Sequence, residues 1–345
     1  MACRRALLAP VTALTLIVGL AACGGDDDSD AAAPVSTAAP AVTTAPPAEP
    51  DTTAAPPAPA APDTTAPPAN TAPPATELDA DAPDLGRVIA FAGDAFLADV
   101  LALGITPIAS AVEVDSAGFQ GIDEFDTSGI EPLSQTDPNL EYLATLRPDT
   151  VITYQFWVDQ IDESLLAGLG DLVIVPDGLQ TAERITVMGD LLGRPEHAAA
   201  LVADLATAEQ NARDRVGDGC TLSLATIYPG PSVAAFVDGP WDIPTAIKTS
   251  GCEIIPGPDV AEPDRNGRAW LSLEQLGLLD QDVLVLLQNS SVDGEDAAVA
   301  EIEANPIWQT LPAVQAGNVV VFDRLGYAGV RGLIRFYDEF SALLD

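Results

Sequence analysis

From residue 86 onward, short apolar runs alternate with segments whose apolar residues recur every three or four positions. GRVIAFA (86–92) is a β-branched run, and DAFLADVLALG (94–104) has helical spacing with Gly104 as its stop. ITPIAS (105–110) predicts a second strand and NLEYLATLRPD (139–149) a helix halted by Pro148. TVITYQF (150–156) then predicts a strand, DESLLAGLG (162–170) a helix and DLVIVP (171–176) a strand. Nearly uninterrupted apolar strands separated by helices predict a parallel sheet covered on both faces. A longer helical stretch over 181–216, broken near Gly193 and Pro195, precedes a second series. Its strands are predicted at 221–228, 232–238, 252–256, 282–288 and 318–323, with helical segments at 272–277, near 296–304 and from 328 to 344. The expected architecture is α/β with mostly parallel sheets: one lobe at 87–180, an interlobe helix at 181–218 and a second lobe at 219–345. A cleft between such lobes is a common place for a ligand.

Residues 1–86 follow a different pattern. Arg4 and Arg5 precede an apolar run from about Ala6 to Leu20, and small residues lead to Cys23. The run is short for a membrane span, which needs about 20 residues, and matches an export signal over 1–23. Leu20-Ala21-Ala22-Cys23 resembles the lipobox of bacterial lipoproteins, which implies lipid modification of Cys23. Residues 24–86 are rich in Pro, Ala, Thr and acid and contain no Lys or Arg. With fixed φ, few large apolar groups and like charges, this stretch is expected to be a disordered linker. Anchor and linker together predict an extracytoplasmic protein held at the cell membrane by lipid alone.

Charge and chemistry narrow the function. Fifty-two acidic residues against 14 Lys and Arg give a formal net charge of −38, which argues against a phosphate-tracking nucleic-acid surface and against adhesion to anionic headgroups. No GxSxG elbow, P-loop, HExxH or CxxC occurs, so an enzyme is not expected. The single histidine, His197, is read as a solvated helix residue. It cannot form a histidine cluster for zinc, so a transition metal is expected to arrive already chelated. Of the four cysteines, Cys3 leaves with the signal and Cys23 takes lipid, leaving Cys220 and Cys252 as a pair for a disulfide. Aromatic and arginine residues fall near predicted strand ends, where open α/β sheets bind ligands. These are Phe91, Tyr154, Phe156 and Trp157 in the first lobe, and Tyr228, Trp241, Arg268, Trp270, Arg324 and Tyr327 in the second.

Four ordered segments carry a family resemblance. They are Arg87–Ala92 with LALGITPIAS, Asn139-Leu140-Glu141 through Pro148-Asp149, Leu271–Leu276 with Asp282–Val285, and Asn305-Pro306-Ile307-Trp308 through Gly317-Asn318-Val319. Residues 86–345 thereby resemble the iron-siderophore and vitamin B12 substrate-binding proteins of ABC importers. The resemblance implies two Rossmann-like lobes joined by a long helix, the class III periplasmic-binding-protein-like architecture. It also implies capture of a ferric siderophore, with no protein cofactor or metal ligand, by a monomer that delivers its cargo to an ABC permease. Glu141 and Glu274 match the family's permease-docking glutamates. Where some relatives place an arginine after the third strand, Tyr154-Gln155-Phe156-Trp157 stands here, which argues for a neutral hydroxamate or mixed-type chelate over a catecholate. Vitamin B12 or heme within the same fold, and a stalked structural or adhesion module, are the alternative readings.

Overall fold

The computed structural model describes residues 79–344 apart from 116, 137, 218, 231 and 240. The export signal, Cys23 and the linker through residue 78 lie outside the described residues. In the first lobe, β1 (Val88–Phe91), β2 (Ala109–Val112), β3 (Glu131–Ser134), β4 (Thr150–Tyr154) and β5 (Asp171–Val175) form an all-parallel sheet in the order β3-β2-β1-β4-β5. Four helices connect or flank these strands: α1 (Asp94–Ala102), α2 (Leu140–Thr145), α3 (Gln155–Ile161) and α4 (Glu163–Ala167). The apolar run at 150–156 is cut short as a strand, because the chain turns into α3 at Gln155. The short β3, with its Pro132 and single buried Leu133, lacks the apolar run that would have marked it in the sequence.

Two consecutive helices, α5 (Thr181–Leu192) and α6 (Pro195–Val216), form the interlobe spine. The break falls at Gly193, in the left-handed region at φ 66°, with Pro195 opening the next helix. Ala198, Leu201, Leu205, Ala208 and Ala212 form the buried stripe of α6, spaced three and four apart as an amphipathic helix requires.

The second lobe contains β6 (Cys220–Tyr228), β7 (Ser232–Phe236), β8 (Cys252–Ile254), β9 (Arg268–Leu271), β10 (Leu284–Gln288) and β11 (Val319–Asp323). Their order is β11-β10-β6-β7-β9, with β8 beside the start of β6. β7 runs antiparallel to both β6 and β9, so the sheet is mixed rather than wholly parallel. The helices are α7 (Asp242–Thr249), α8 (Glu295–Glu303), α9 (Pro312–Ala316) and α10 (Gly329–Leu343), with a 3-10 turn over Leu273–Leu278. Cys220 and Cys252 are register partners at the starts of β6 and β8 and form a disulfide. In the chain-entropy model, closing a loop of this length contributes about 3–4 kcal/mol.

The lobes share one apolar core. Val88, Phe96 and Ile152 of the first lobe belong to the same buried cluster as Leu222, Val285 and Phe336 of the second. The closing helix α10 presents Val330, Leu333, Phe336, Tyr337 and Phe340 inward and packs on α6 and α1. Each such side chain stabilises the folded state by roughly 1.5–3 kcal/mol on burial.

The end of the acidic linker region differs from the sequence expectation. Asp79 accepts hydrogen bonds from the Glu196 and His197 backbone N–H groups, at 2.9 and 3.0 Å, and faces His197 Nδ1 at 2.7 Å. Leu85 packs on the shared core, and its carbonyl accepts the Thr150 hydroxyl. Residues 79–86 therefore belong to the folded body. The helix α6 N-terminus offers unsatisfied donors and Asp79 fills them. This pairing also corrects the reading of His197 as a solvated helix residue: it is buried against Asp79.

Candidate functional site

The carboxyl ends of both sheets face each other across a cavity of about 390 Å³. In the first sheet the chain winds one way from β1 and the other way from β4, leaving a crevice beside the carboxyl ends of these strands. Asp94 follows β1 and Glu113 follows β2, and both line the first-lobe wall. Tyr228 ends β6, Arg324 follows β11, and Arg268 opens β9, and these line the opposite wall.

The second-lobe wall is a stack of aromatic and guanidinium planes. Arg324 lies over the Tyr228 ring at 5.0 Å from its centroid, and Tyr228 lies 5.4 Å from Trp270. Arg268 sits over Trp270 at 5.2 Å and donates to the Tyr228 hydroxyl at 3.2 Å. Such cation–π contacts contribute about 0.5–2 kcal/mol each and hold the guanidinium planes in place. Arg324 is further fixed by Glu295, at 2.7 Å, and Arg268 by Asp264, at 3.4 Å. Each arginine keeps a buried Nε with no hydrogen-bond partner. Forked donors already aligned in this way suit the oxygen atoms of an anionic or metal-wrapping ligand.

The first-lobe wall carries acid. Burial, then the adjacent Glu113 carboxylate, pushes Asp94 up to about 7, while the Glu113 and Gln120 N–H groups hold it back. Glu113 stands exposed at the cleft, yet the flanking walls desolvate it enough to raise its pKa against the pull of Arg324. The rim is bridged between lobes. Asn289 Nδ2 donates to Gln120 Oε1 at 2.8 Å, and Arg335 pairs with Glu124 at 3.3 Å. Gly121, at φ 69°, lies so close to the Leu325 carbonyl that a Cβ there would collide with it.

The structure gathers Tyr228, Trp241, Arg268, Arg324 and Tyr327 around the cavity. It places the first-lobe aromatics elsewhere. Phe91 is buried beneath the sheet and meets Trp157 edge-on at 5.5 Å, so this pair fills core. Phe156 is exposed on α3 against Trp157, and Tyr154 packs edge-on against Phe96 at 4.6 Å. Turning into helix α3 directly after β4 carries the Phe156 and Trp157 rings away from the mouth. Asp94 and Glu113 were passed over in the sequence because acid is abundant throughout the chain. Their position immediately after strands was the available signal.

Glu141 and Glu274 are both exposed, each in the first turn of a short helix. Helix α2 joins β3 to β4, so its N-terminus lies at the carboxyl ends of the first sheet. The 3-10 turn at Leu273 follows β9, which points the same way as β6 and β10. The glutamates are therefore placed on the cleft-side edges of the two lobes. Helix capping falls to others: Asn139 accepts the Tyr142 N–H, and Ser272 with Gln275 forms a reciprocal box. Among the described residues, no His, Cys, Asp or Glu grouping could hold a metal ion, and no helix is long and apolar enough to cross a membrane.

Two α/β lobes on a helical spine, with convergent aromatic and guanidinium groups in the gap, define a receptor for a small molecule. The family model described as periplasmic binding protein matches residues 89–324, and the chain belongs to that family, whose fold serves substrate capture rather than catalysis. No curated protein matches the chain in sequence. Solved structures match its fold. Staphylococcus aureus SirA aligns with a TM-score of 0.60 and 16% identity, covering 75% of this chain and 98% of SirA. FeuA from Bacillus subtilis, a triscatecholate siderophore binding protein complexed with ferri-bacillibactin, aligns at 0.61 and 19%, covering 76% and 94%. FhuD from Vibrio cholerae with bound Fe3+-Desferal aligns at 0.61 and 19%, covering 76% and 98%.

Proposed function

We propose that the chain is the extracytoplasmic substrate-binding protein of an ABC importer, that it captures a ferric siderophore between its lobes and that it delivers the complex to a membrane permease. The observation that carries this reading is the Arg324–Tyr228–Trp270–Arg268 stack, whose Arg324, Tyr228 and Arg268 line the cavity. Rings offer flat apolar contact to a ligand framework, and guanidinium forks meet its oxygen atoms. A metal already enclosed by its chelator needs no protein ligand, which fits the composition of these walls. The similarity to FeuA and FhuD, whose structures hold ferric siderophores, supports the same cargo class. Glu141 and Glu274 stand on the cleft-side edges as charged posts for permease arginines. The lipobox-like Leu20-Ala21-Ala22-Cys23 supports a lipid anchor at the cell membrane.

The test is a titration of the purified chain, read by tryptophan emission, against ferric siderophores, the same chelators without metal, heme and cobalamin. Trp241 and Trp270 stand at or beside the cavity, so saturable quenching by a ferric siderophore is expected, with weaker response to the free chelator. Preference for heme or cobalamin would replace the cargo assignment. Indifference to every compound would remove the receptor reading itself.

A further inference from the structure

The cleft is electrically two-sided. Its second-lobe wall presents arginines that are each already matched with a carboxylate, Arg324 with Glu295 and Arg268 with Asp264. The opposite wall presents Asp94 and Glu113, neither of which has an ion pair among the described residues. Asp94 is only 2% exposed. Its Oδ2 accepts the Glu113 N–H at a long 3.5 Å, the Gln120 N–H also acts on the carboxyl, and Oδ1 is buried without a hydrogen-bond partner of ordinary geometry. Asp94 lines the cavity, and a buried carboxylate short of donors is costly unless a ligand brought beside it supplies one.

A bare metal ion is a poor candidate for this place. A hard divalent cation takes six or more oxygen ligands or keeps a full set of waters, and no group of three acidic, histidine or cysteine side chains exists among the described residues. A protonated amine fits better, since its three donors can be shared between two carboxylates. We propose that the chelate taken by this cleft carries a protonated amine, which seats between Asp94 and Glu113 while the oxygen-rich, metal-bearing end faces Arg268 and Arg324. The assignment rests on the reading of the chain as a ferric-chelate receptor. It adds a recognition element on the first lobe, so that cargo of this kind would bridge both walls. A chelate lacking the amine would leave two desolvated carboxylates unanswered, which is a strong basis for discrimination.

The test compares two probes that differ in one charge, using the full chain near pH 7.5. Ferric desferrioxamine B carries a free terminal ammonium, and its N-acetylated form does not. The parent chain is expected to bind the ammonium form about tenfold or more tightly. In Asp94→Asn and Glu113→Gln, that ratio should narrow to within about twofold, whatever the absolute affinities. Thermal melts establish that the variants fold, and Glu113 is exposed enough for its substitution to be tolerated. Equal binding of the two probes by the parent overturns the inference and leaves the receptor reading intact, as does capture of amine-free ferric chelates alone. A preference that survives both substitutions also overturns it. Failure of every ferric chelate to bind removes both readings together.

Discussion

Arg184 donates through Nε to Asp99 Oδ2 over 2.8 Å, and the other Asp99 oxygen accepts the Val330 N–H at 2.7 Å. One buried carboxylate thereby connects α1 of the first lobe, α5 of the spine and α10 of the second lobe. Burial alone would push the guanidinium down, but Asp99 and Asp242 hold it above the usual arginine range. Arg184→Leu should lower stability by about 3–5 kcal/mol, because Asp99 would be left charged and alone. The urea midpoint measures this, and a midpoint equal to the parent's would contradict it. Joint replacement of Asp99 and Arg184 by apolar residues should recover most of the loss.

Asp94 gives the fold an inverted pH response. Its folded pKa is raised from 3.8 to about 7, so between roughly pH 4 and 7 the native state keeps a proton that the unfolded chain has released. Stability from this group is therefore complete at low pH and falls as pH rises through that window. About 3 units at roughly 1.4 kcal/mol each set an upper bound of about 4 kcal/mol. Asp94→Asn should remove the penalty and be more stable than the parent at pH 8, with the difference shrinking toward pH 4. Unfolding curves at both pH values decide it. A constant difference would assign the effect elsewhere.

Asp79 should respond in the opposite sense. Burial raises its pKa, but the Glu196 N–H, the His197 side chain and the His197 N–H together hold it below the usual aspartate value. Its contribution is present above the unfolded-state pKa and is lost as pH falls through the lower folded one. Asp79→Ala should cost about 0.5–2 kcal/mol at neutral pH through loss of the helix cap. Amide exchange at Glu196 and His197 reports the event locally, and unchanged protection there would speak against the cap.

Aromatic substitutions should separate cleft from core. Tyr228→Ala removes the ring between two guanidinium groups and should weaken chelate capture by about 1–3 kcal/mol, or roughly 5- to 150-fold. Trp157→Ala, whose ring lies against buried Phe91, should instead lower the melting temperature and leave affinity within about twofold. Titration and melting of both variants check the division; a reversed pattern would move the site to the first lobe.

The proposed docking role of Glu141 and Glu274 predicts an effect on transfer alone. Replacing Glu141 and Glu274 together by Gln is expected to leave chelate titrations unchanged and to reduce iron uptake in cells. Normal uptake by a normally expressed variant would exclude these residues as the permease contact.

Much of the fold was legible because its strands are apolar runs and its spine has a clear period. The 181–216 helical stretch, its break at Gly193–Pro195 and the Cys220–Cys252 pair all follow from local chemistry. What stayed hidden depends on contacts rather than runs. β3 and β9 are only four residues long and carry Glu131, Pro132 and Arg268, so only their neighbours make them strands. The candidate site was half legible. Rare aromatic and arginine residues marked the second-lobe wall, whereas the same criterion also drew in Phe91, buried on β1, and Trp157, which α3 lays against it. Asp94 and Glu113 are hidden among the many other acids, and only their places immediately after β1 and β2 set them apart.

The cap at Asp79 also fixes where the preceding chain meets the folded body. A pull applied at Asp79 is borne by the start of α6, part of the spine between the lobes, rather than by an edge strand of either sheet.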